Sequence, residues 1–112
     1  LKGDVYAARG DYQRAERAFS DALARNDGWF YHHLRRGMAR NELEQYDAAR
    51  SDLAAANERM PTAIGHYVLG TIEQRSGNRT RAIQHYRVAA QSNTPVGQQA
   101  RQRLAALGVA SG

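Results

Sequence analysis

The fold of this chain is predicted by one stretch of sequence, GDYQRAERAFSDA at positions 10–22, because its pattern recurs twice. The second copy is EQYDAARSDLAAA at positions 44–56, and the third is GNRTRAIQHYRVA at positions 77–89. Each copy has alanine, a large side chain and alanine at i, i+4 and i+7, which is one stripe of an α-helix. The copies begin 34 and then 33 residues apart, a period typical of stacked helix pairs.

A glycine precedes each copy by seven residues, at Gly3, Gly37 and Gly70. Glycine inside a helix costs ~1 kcal/mol relative to alanine, so a recurring one needs a compensating contact. We expect these glycines and the alanine stripes to face each other across close helix–helix contacts, with the large side chain between them.

Turn signals divide the chain into seven predicted helices, and no segment has the alternation expected of a strand. The helices are predicted at 1–9, 12–25, 30–42, 46–58, 63–76, 79–91 and 95–107. Turns between them are indicated at 26–28, 60–62 and 93–95, where Gly or Pro interrupts the pattern. Asp11 and Asn78 stand where a helix begins and are predicted to N-cap it.

The predicted organisation is one all-α domain, 1–112, that forms an α-solenoid. An incomplete repeat at 1–28 is followed by repeats at 29–61 and 62–94, a closing helix at 95–107 and a tail at 108–112. The closing helix has Ala100, Leu104 and Leu107 on one side and polar residues on the other, as the end of a solenoid requires. The incomplete first repeat also leads us to expect that this end can pair with a second copy of the chain.

The repeat resembles the tetratricopeptide repeat, whose pattern is W-x2-L-G-x2-Y, then A-x3-F, then P. His66-x2-Leu69-Gly70 followed by Ala82-x3-Tyr86 matches part of it. This resemblance implies a right-handed superhelix of helix-turn-helix repeats that binds proteins or peptides on its concave face.

The sequence departs from that family's pattern at three positions. His33 and His66 stand where the pattern has an aromatic residue, and Arg36 stands where it has leucine. These departures concern the packing of individual repeats rather than the fold.

A narrower resemblance is to the C-terminal repeat region of bacterial zinc metalloproteases related to the CaaX prenyl protease. It is found at 34–37, 60–63, 66–70 and 96–100. The peptidase domain of those enzymes binds zinc through an H-E-x-x-H helix, and this sequence contains no such motif. The resemblance implies an accessory or regulatory module, with an attached peptidase domain as partner, in the bacterial periplasm or cell envelope.

Composition and charge exclude several classes of function. The 112 residues contain no cysteine, which removes disulfides and thiolate zinc sites, and no apolar run near the ~18 residues of a membrane span. The net charge of +5 is concentrated in residues 59–112, where seven arginines accompany Glu73 alone. Nucleic-acid binding is not favoured, because that half contains only two aromatic residues, Tyr67 and Tyr86, for stacking on bases.

No catalytic, cofactor-binding or metal-binding set is predicted. His32, His33, His66 and His85 are the only imidazoles, and no cysteine or suitably spaced carboxylate completes a ligand set around them. His33 and His66 are therefore predicted to be packing residues, and the chain to be a binding module rather than an enzyme.

The predicted ligand site is a groove formed by the first helices of repeats two and three. Tyr31 and Tyr67 are the expected anchors, Met38 an adaptable wall, and Arg75 and Arg101 basic flanks. The full predicted set is Tyr31, Leu34, Arg35, Met38, Asn41, Ile64, Tyr67, Thr71, Gln74, Arg75 and Arg101. Peptides with apolar anchors and acidic neighbours are the expected ligands.

Overall fold

The computed structural model describes residues 2–25 and 29–109, and within this part the chain is all-α. The helices are α1 (Lys2–Ala8), α2 (Tyr12–Ala24), α3 (Trp29–Glu42), α4 (Tyr46–Arg59), α5 (Ala63–Arg75), α6 (Arg79–Ala89) and α7 (Pro95–Ala106). Their ends agree with the predicted ones to within two residues. The predicted turn at 26–28 and the last three residues of the predicted tail lie outside the described residues.

The helices belong to two compact units, Leu1–Met60 and Pro61–Gly112. In the first unit, α1 packs against α2, α2 against α3, and α3 against α4. In the second unit, α5 packs against α6, and α7 packs against both. No helix in the described ranges is long and apolar enough to cross a membrane.

The recurring glycines lie against the large residue of the following helix, as the sequence predicts. A Cβ added to Gly3 would come within 2.5 Å of the Phe19 ring, and one added to Gly70 within 2.6 Å of the Tyr86 ring. A Cβ at Gly37 would overlap the Leu53 side chain. The two helices of each pair can therefore approach closely only because the first helix lacks a side chain at this point.

The alanine stripes are buried, which confirms the predicted facing of α2, α4 and α6. Ala15, Ala49 and Ala82 are all 0% exposed, and each shares its stripe with the large residue that meets a glycine. The bulky members of the second unit's core are Tyr86 and Leu104, which pack with Ala82. One contact of small and large residues thus recurs in the three helix pairs.

The turn inside each helix pair contains a residue with positive φ. These residues are Gly10 (φ 77°), Glu44 (φ 62°) and Gly77 (φ 85°), which follow the same repeat spacing. Glycine adopts this conformation freely, whereas a residue with a Cβ does not. The α3–α4 turn is therefore strained at Glu44.

Replacing Glu44 with glycine is expected to raise the free energy of unfolding by about 0.5–1 kcal/mol. Relief of the left-handed conformation, about 1–2 kcal/mol, exceeds the extra flexibility of glycine in the unfolded chain. The measurement is urea unfolding followed by circular dichroism. Glu58→Gly, placed in α4 with ordinary helical geometry, is the control and should lose up to about 1 kcal/mol. A Glu44→Gly variant no more stable than the parent would contradict the prediction.

The two predicted N-caps have different outcomes. The Asp11 side chain accepts a hydrogen bond from the Arg14 backbone N–H at 3.2 Å, so that prediction is confirmed. Asn78 occupies the N-cap position of α6 as predicted, but its side chain makes no capping hydrogen bond. Its Nδ2 donates to Glu73 Oε1 at 3.4 Å, which links the end of α5 to the start of α6.

Helix α7 has the amphipathic packing predicted for a closing helix. Ala100 and Leu104 are buried, at 0% and 1% exposed, whereas Gln98 and Gln102 are exposed. Its start is fixed by Pro95 in the first turn, where the missing N–H costs no helical hydrogen bond.

Candidate functional site

The first unit has a cleft of about 440 Å³ between α1 and α3, which we call the α1–α3 cleft. Its apolar surface comes from alanines at 7, 8 and 39, from Met38 and from the edge of Phe19. Three charged residues also line it, namely Asp4, Arg35 and Glu42. Small side chains on both helices leave the cleft open, and the longer side chains border it.

One side of the α1–α3 cleft is closed by a hydrogen-bonded pair of aromatic and acidic residues. The Tyr31 hydroxyl donates to Asp4 Oδ2 at 2.6 Å. Arg35 Nε lies 3.8 Å from the other Asp4 oxygen, and its guanidinium lies 5.1 Å from the centre of the Tyr31 ring. Burial and the hydrogen bond to Asp4 raise the pKa of Tyr31, so the hydroxyl remains a donor.

Three of the predicted groove residues, Tyr31, Arg35 and Met38, are brought together in this cleft. Two others from the same helix are not available, because Leu34 is 6% exposed and Asn41 is 5% exposed. The prediction that they line an exposed groove is wrong. Both share a helical stripe with Gly37, which faces α4 rather than solvent.

Residues of α1 contribute to the cleft although the sequence analysis did not include them. Asp4 and Ala8 precede Met38 and Glu42 by 34 residues, the same spacing as the repeat. Applying the repeat offset to Met38 would therefore have found Asp4. The first repeat matches the pattern only in part, so the equivalence of Asp4 and Met38 is not evident from the motif alone.

In the second unit, three predicted groove residues contact Tyr86, two of them at its hydroxyl and one at its ring. Tyr86 donates to Gln74 Oε1 at 2.8 Å and lies 3.4 Å from Thr71 Oγ1. The Tyr67 ring lies 5.7 Å from the Tyr86 ring, and its hydroxyl accepts from Arg103 Nε at 3.2 Å. These side chains link α5 to α6 and α7. Their polar groups are hydrogen-bonded within the second unit in this structure.

Arg101, another predicted groove residue of the second unit, is engaged at a helix end. Arg101 donates from Nη1 to the carbonyl of Ala90 at 2.6 Å, and so caps the end of α6. Arg79 similarly donates to the carbonyl of Leu107 at 2.6 Å, at the end of α7. Ile64 is half-buried and Arg75 is exposed. Two arginines of this half therefore bind the carbonyl groups at the ends of helices, where a positive charge and N–H donors stabilise the helix.

A second polar cluster in the first unit is centred on Asp52 of α4, which is 2% exposed. Arg36 donates to both carboxylate oxygens, with distances of 2.9 and 2.7 Å. Arg40 donates to Oδ2 at 2.8 Å and also to Glu16 of α2 at 3.0 Å. His33 Nδ1 lies 2.9 Å from Oδ1. The cluster ties α2, α3 and α4 together and accounts for the arginine at position 36.

The histidines at the aromatic positions of the repeat pack as predicted, but each also has a polar partner that the sequence did not reveal. The His33 ring lies 4.2 Å from the Trp29 ring in addition to its contact with Asp52. The His66 ring lies 5.3 Å from the ring of His85, with the two Nδ1 atoms 3.1 Å apart. Neither partner is within four residues in sequence, so local spacing could not predict it.

Among the described residues, no group of three or more His, Asp or Glu side chains is placed to hold a metal ion. No family model, no curated protein and no solved structure matches this chain.

Proposed function

We propose that this chain is a non-catalytic protein-interaction module of the tetratricopeptide type, and that the α1–α3 cleft binds a peptide segment. The proposal includes the right-handed solenoid that the repeat implies. Its support is the recurring contact of a glycine with a large residue in three helix pairs, at the spacing of that family. The observation that carries the binding function is the cleft itself, an open surface of small apolar side chains bordered by charges.

The chemistry of the cleft favours a ligand with one apolar anchor. Alanines form a shallow apolar floor, and Met38 is a flexible side chain that can adapt to different anchors. Burying an apolar side chain there gains ~25 cal/mol for each Å² removed from water. An extended peptide also finds polar partners at the border of the cleft, where Asp4, Tyr31 and Arg35 are already held in place.

The charges favour a basic residue next to the anchor. Asp4 and Arg35 compensate each other, whereas Glu42 stands exposed at the end of α3. The acidic preference expected from the sequence depended on Arg75 and Arg101, and Arg101 is engaged with backbone carbonyls. The proposed ligand is therefore a segment with an apolar side chain followed or preceded by Lys or Arg. In an accessory domain of a peptidase, the same cleft would bind such a segment of the attached chain.

The two methionines of the chain provide a matched test of this site. Met38 lines the cleft, and Met60 is 55% exposed outside it. Against a peptide array with apolar anchors and either basic or acidic neighbours, Met38→Glu should lower the affinity of bound peptides by about tenfold or more, because an unpaired carboxylate opposes apolar burial. Met60→Glu should leave the affinity unchanged.

Binding is measured by fluorescence titration of the peptides that the array selects, with circular dichroism confirming that both variants are folded. Equal affinity of the Met38→Glu and Met60→Glu variants would exclude the cleft as the site. An array on which the parent chain selects no peptide would contradict the proposed function. Selection of acidic-neighbour peptides alone would reject the role given to Glu42.

A further inference from the structure

The second unit contains a pair of imidazoles, His66 on α5 and His85 on α6, that face each other through their Nδ1 atoms. The two nitrogens are 3.1 Å apart, and the rings are tilted by 33°. The two helices are held together next to this pair, because Gly70 packs directly on the ring of Tyr86. The pair is therefore positioned by the rigid part of the hairpin rather than by a loop.

The distance between the nitrogens suits a divalent transition-metal ion. Imidazole nitrogens bind Zn²⁺ at about 2.0–2.1 Å, which places two of them about 3.3 Å apart in a tetrahedral site. Adjacent ligands of a square-planar ion are about 2.9 Å apart at similar bond lengths. The observed 3.1 Å lies between these two values, so the nitrogens need not move apart or together, and both rings would turn until their lone pairs converge on the ion.

The protonation of the pair is also favourable for binding a cation. Burial lowers the pKa of His66, and burial together with the charge of His66 lowers the pKa of His85. Glu73 acts on His85 in the opposite direction with a smaller effect. Both rings are therefore neutral at pH 7, which is the form that binds metals.

His33 does not offer an equivalent site. Its Nδ1 faces the Asp52 carboxylate, which two arginines already bind. Positive guanidinium groups next to the ring would oppose a metal ion. His66 and His85 therefore differ from His33, because no guanidinium group of the described residues is shown at their facing nitrogens.

We propose that His66 and His85 form a two-nitrogen site for a borderline divalent ion, with Cu²⁺ favoured over Ni²⁺ and Zn²⁺ by the general order of affinities. No third side-chain ligand is present among the described residues, so water completes the coordination. The hydrogen shared between the two Nδ1 atoms moves to Nε2 of the same ring when the ion binds. No net proton is released from the neutral pair, and no redox step is involved.

The test is isothermal titration of the full chain with Zn²⁺, Ni²⁺ and Cu²⁺ at pH 7.5 and pH 5.5. His66→Asn and His85→Asn should each weaken binding by about tenfold or more, whereas the His33→Gln control should bind as the parent does. At pH 5.5 the parent should bind several-fold more weakly, because protonation of the imidazoles competes with the ion. The electron paramagnetic resonance spectrum of the Cu²⁺ form should show coupling to two nitrogens.

A readout on the unmodified chain keeps the proposal testable if the variants unfold. Imidazole resonances of His66 and His85 should shift on addition of Zn²⁺, with those of His32 and His33 unchanged. Equal binding by the parent and both asparagine variants, or unchanged imidazole resonances at saturating metal, would show that the pair is a hydrogen bond only. Either result would overturn the metal site without affecting the peptide-binding proposal, which concerns the other unit.

Discussion

Replacing Asp52 with alanine is expected to lower the free energy of unfolding by about 3–5 kcal/mol. Removal of Asp52 leaves Arg36 without a carboxylate partner and Arg40 with Glu16 alone, and breaking a buried ion pair in this way is strongly destabilising. The Arg36 and Arg40 side chains are 17% and 19% exposed, so water can compensate them only in part. Urea unfolding followed by circular dichroism measures the loss.

Asp47 is a matched control on the same helix. Its pair with Arg50 is also short, at 2.7 Å, but the Asp47 side chain is fully exposed. Asp47→Ala should cost far less than Asp52→Ala, because water solvates the Asp47 carboxylate and screens the pair. Comparable losses for Asp47→Ala and Asp52→Ala would show that burial of the Asp52 cluster contributes nothing, and the interpretation of that cluster would be wrong.

The Asp52 cluster consists of contacts that the sequence does not predict. Arg36 departs from the leucine of the repeat pattern, but the sequence does not show which residue it binds. Its partner, Asp52, lies on the next helix, α4, where nothing in the sequence distinguishes it from an exposed polar residue. Only the crossing of α3 and α4 places the carboxylate between two guanidinium groups. The position that faces the first helix does recur, since His66 meets His85 at the same 19-residue separation as His33 and Asp52, but the repeat does not predict the charge found there.

The helices and their contacts could be predicted because the repeat carries the same information three times. Gly37 alone would be a weak indication of close packing, but Gly3 and Gly70 at the same offset exclude coincidence. The buried alanines follow from the same spacing. In contrast, the position of Asn78 at the start of α6 was predicted, but its side-chain contact with Glu73 was not. Backbone periodicity was therefore a better predictor than individual polar contacts.

The candidate site was predicted only where the direction of a side chain follows from the helix alone. Tyr31, Arg35 and Met38 recur at i, i+4 and i+7 on α3 and reach the cleft together. Leu34 and Asn41 lie on the neighbouring stripe of α3, the one that contains Gly37 and faces α4. Which of two neighbouring stripes faces solvent depends on the positions of the adjacent helices. The repeat offset places Asp4 at the position equivalent to Met38, but its hydrogen bond to Tyr31 is visible only in the three-dimensional structure.

Replacing Tyr86 with alanine is expected to lower the free energy of unfolding by about 3–5 kcal/mol, the cost of emptying the volume of an aromatic ring. Tyr86 is 0% exposed and packs with Ala82 and Leu104, so the surrounding helices cannot close the cavity without moving. The ring also fills the space left by the missing side chain of Gly70. The loss is measured by urea unfolding at neutral pH.

Tyr86→Phe separates this packing from the hydroxyl. It removes the hydrogen bond to Gln74, 2.8 Å long, but keeps the ring, and should cost about 1 kcal/mol. A phenylalanine variant as unstable as the alanine variant would mean that the polar contacts with Gln74 and Thr71 hold the second unit together. An alanine variant as stable as the parent would mean that Tyr86 does not fill the contact between α5 and α6. Since Phe19 and Leu53 occupy the corresponding contacts, that second result would also remove the structural basis for treating the three helix pairs as one repeat.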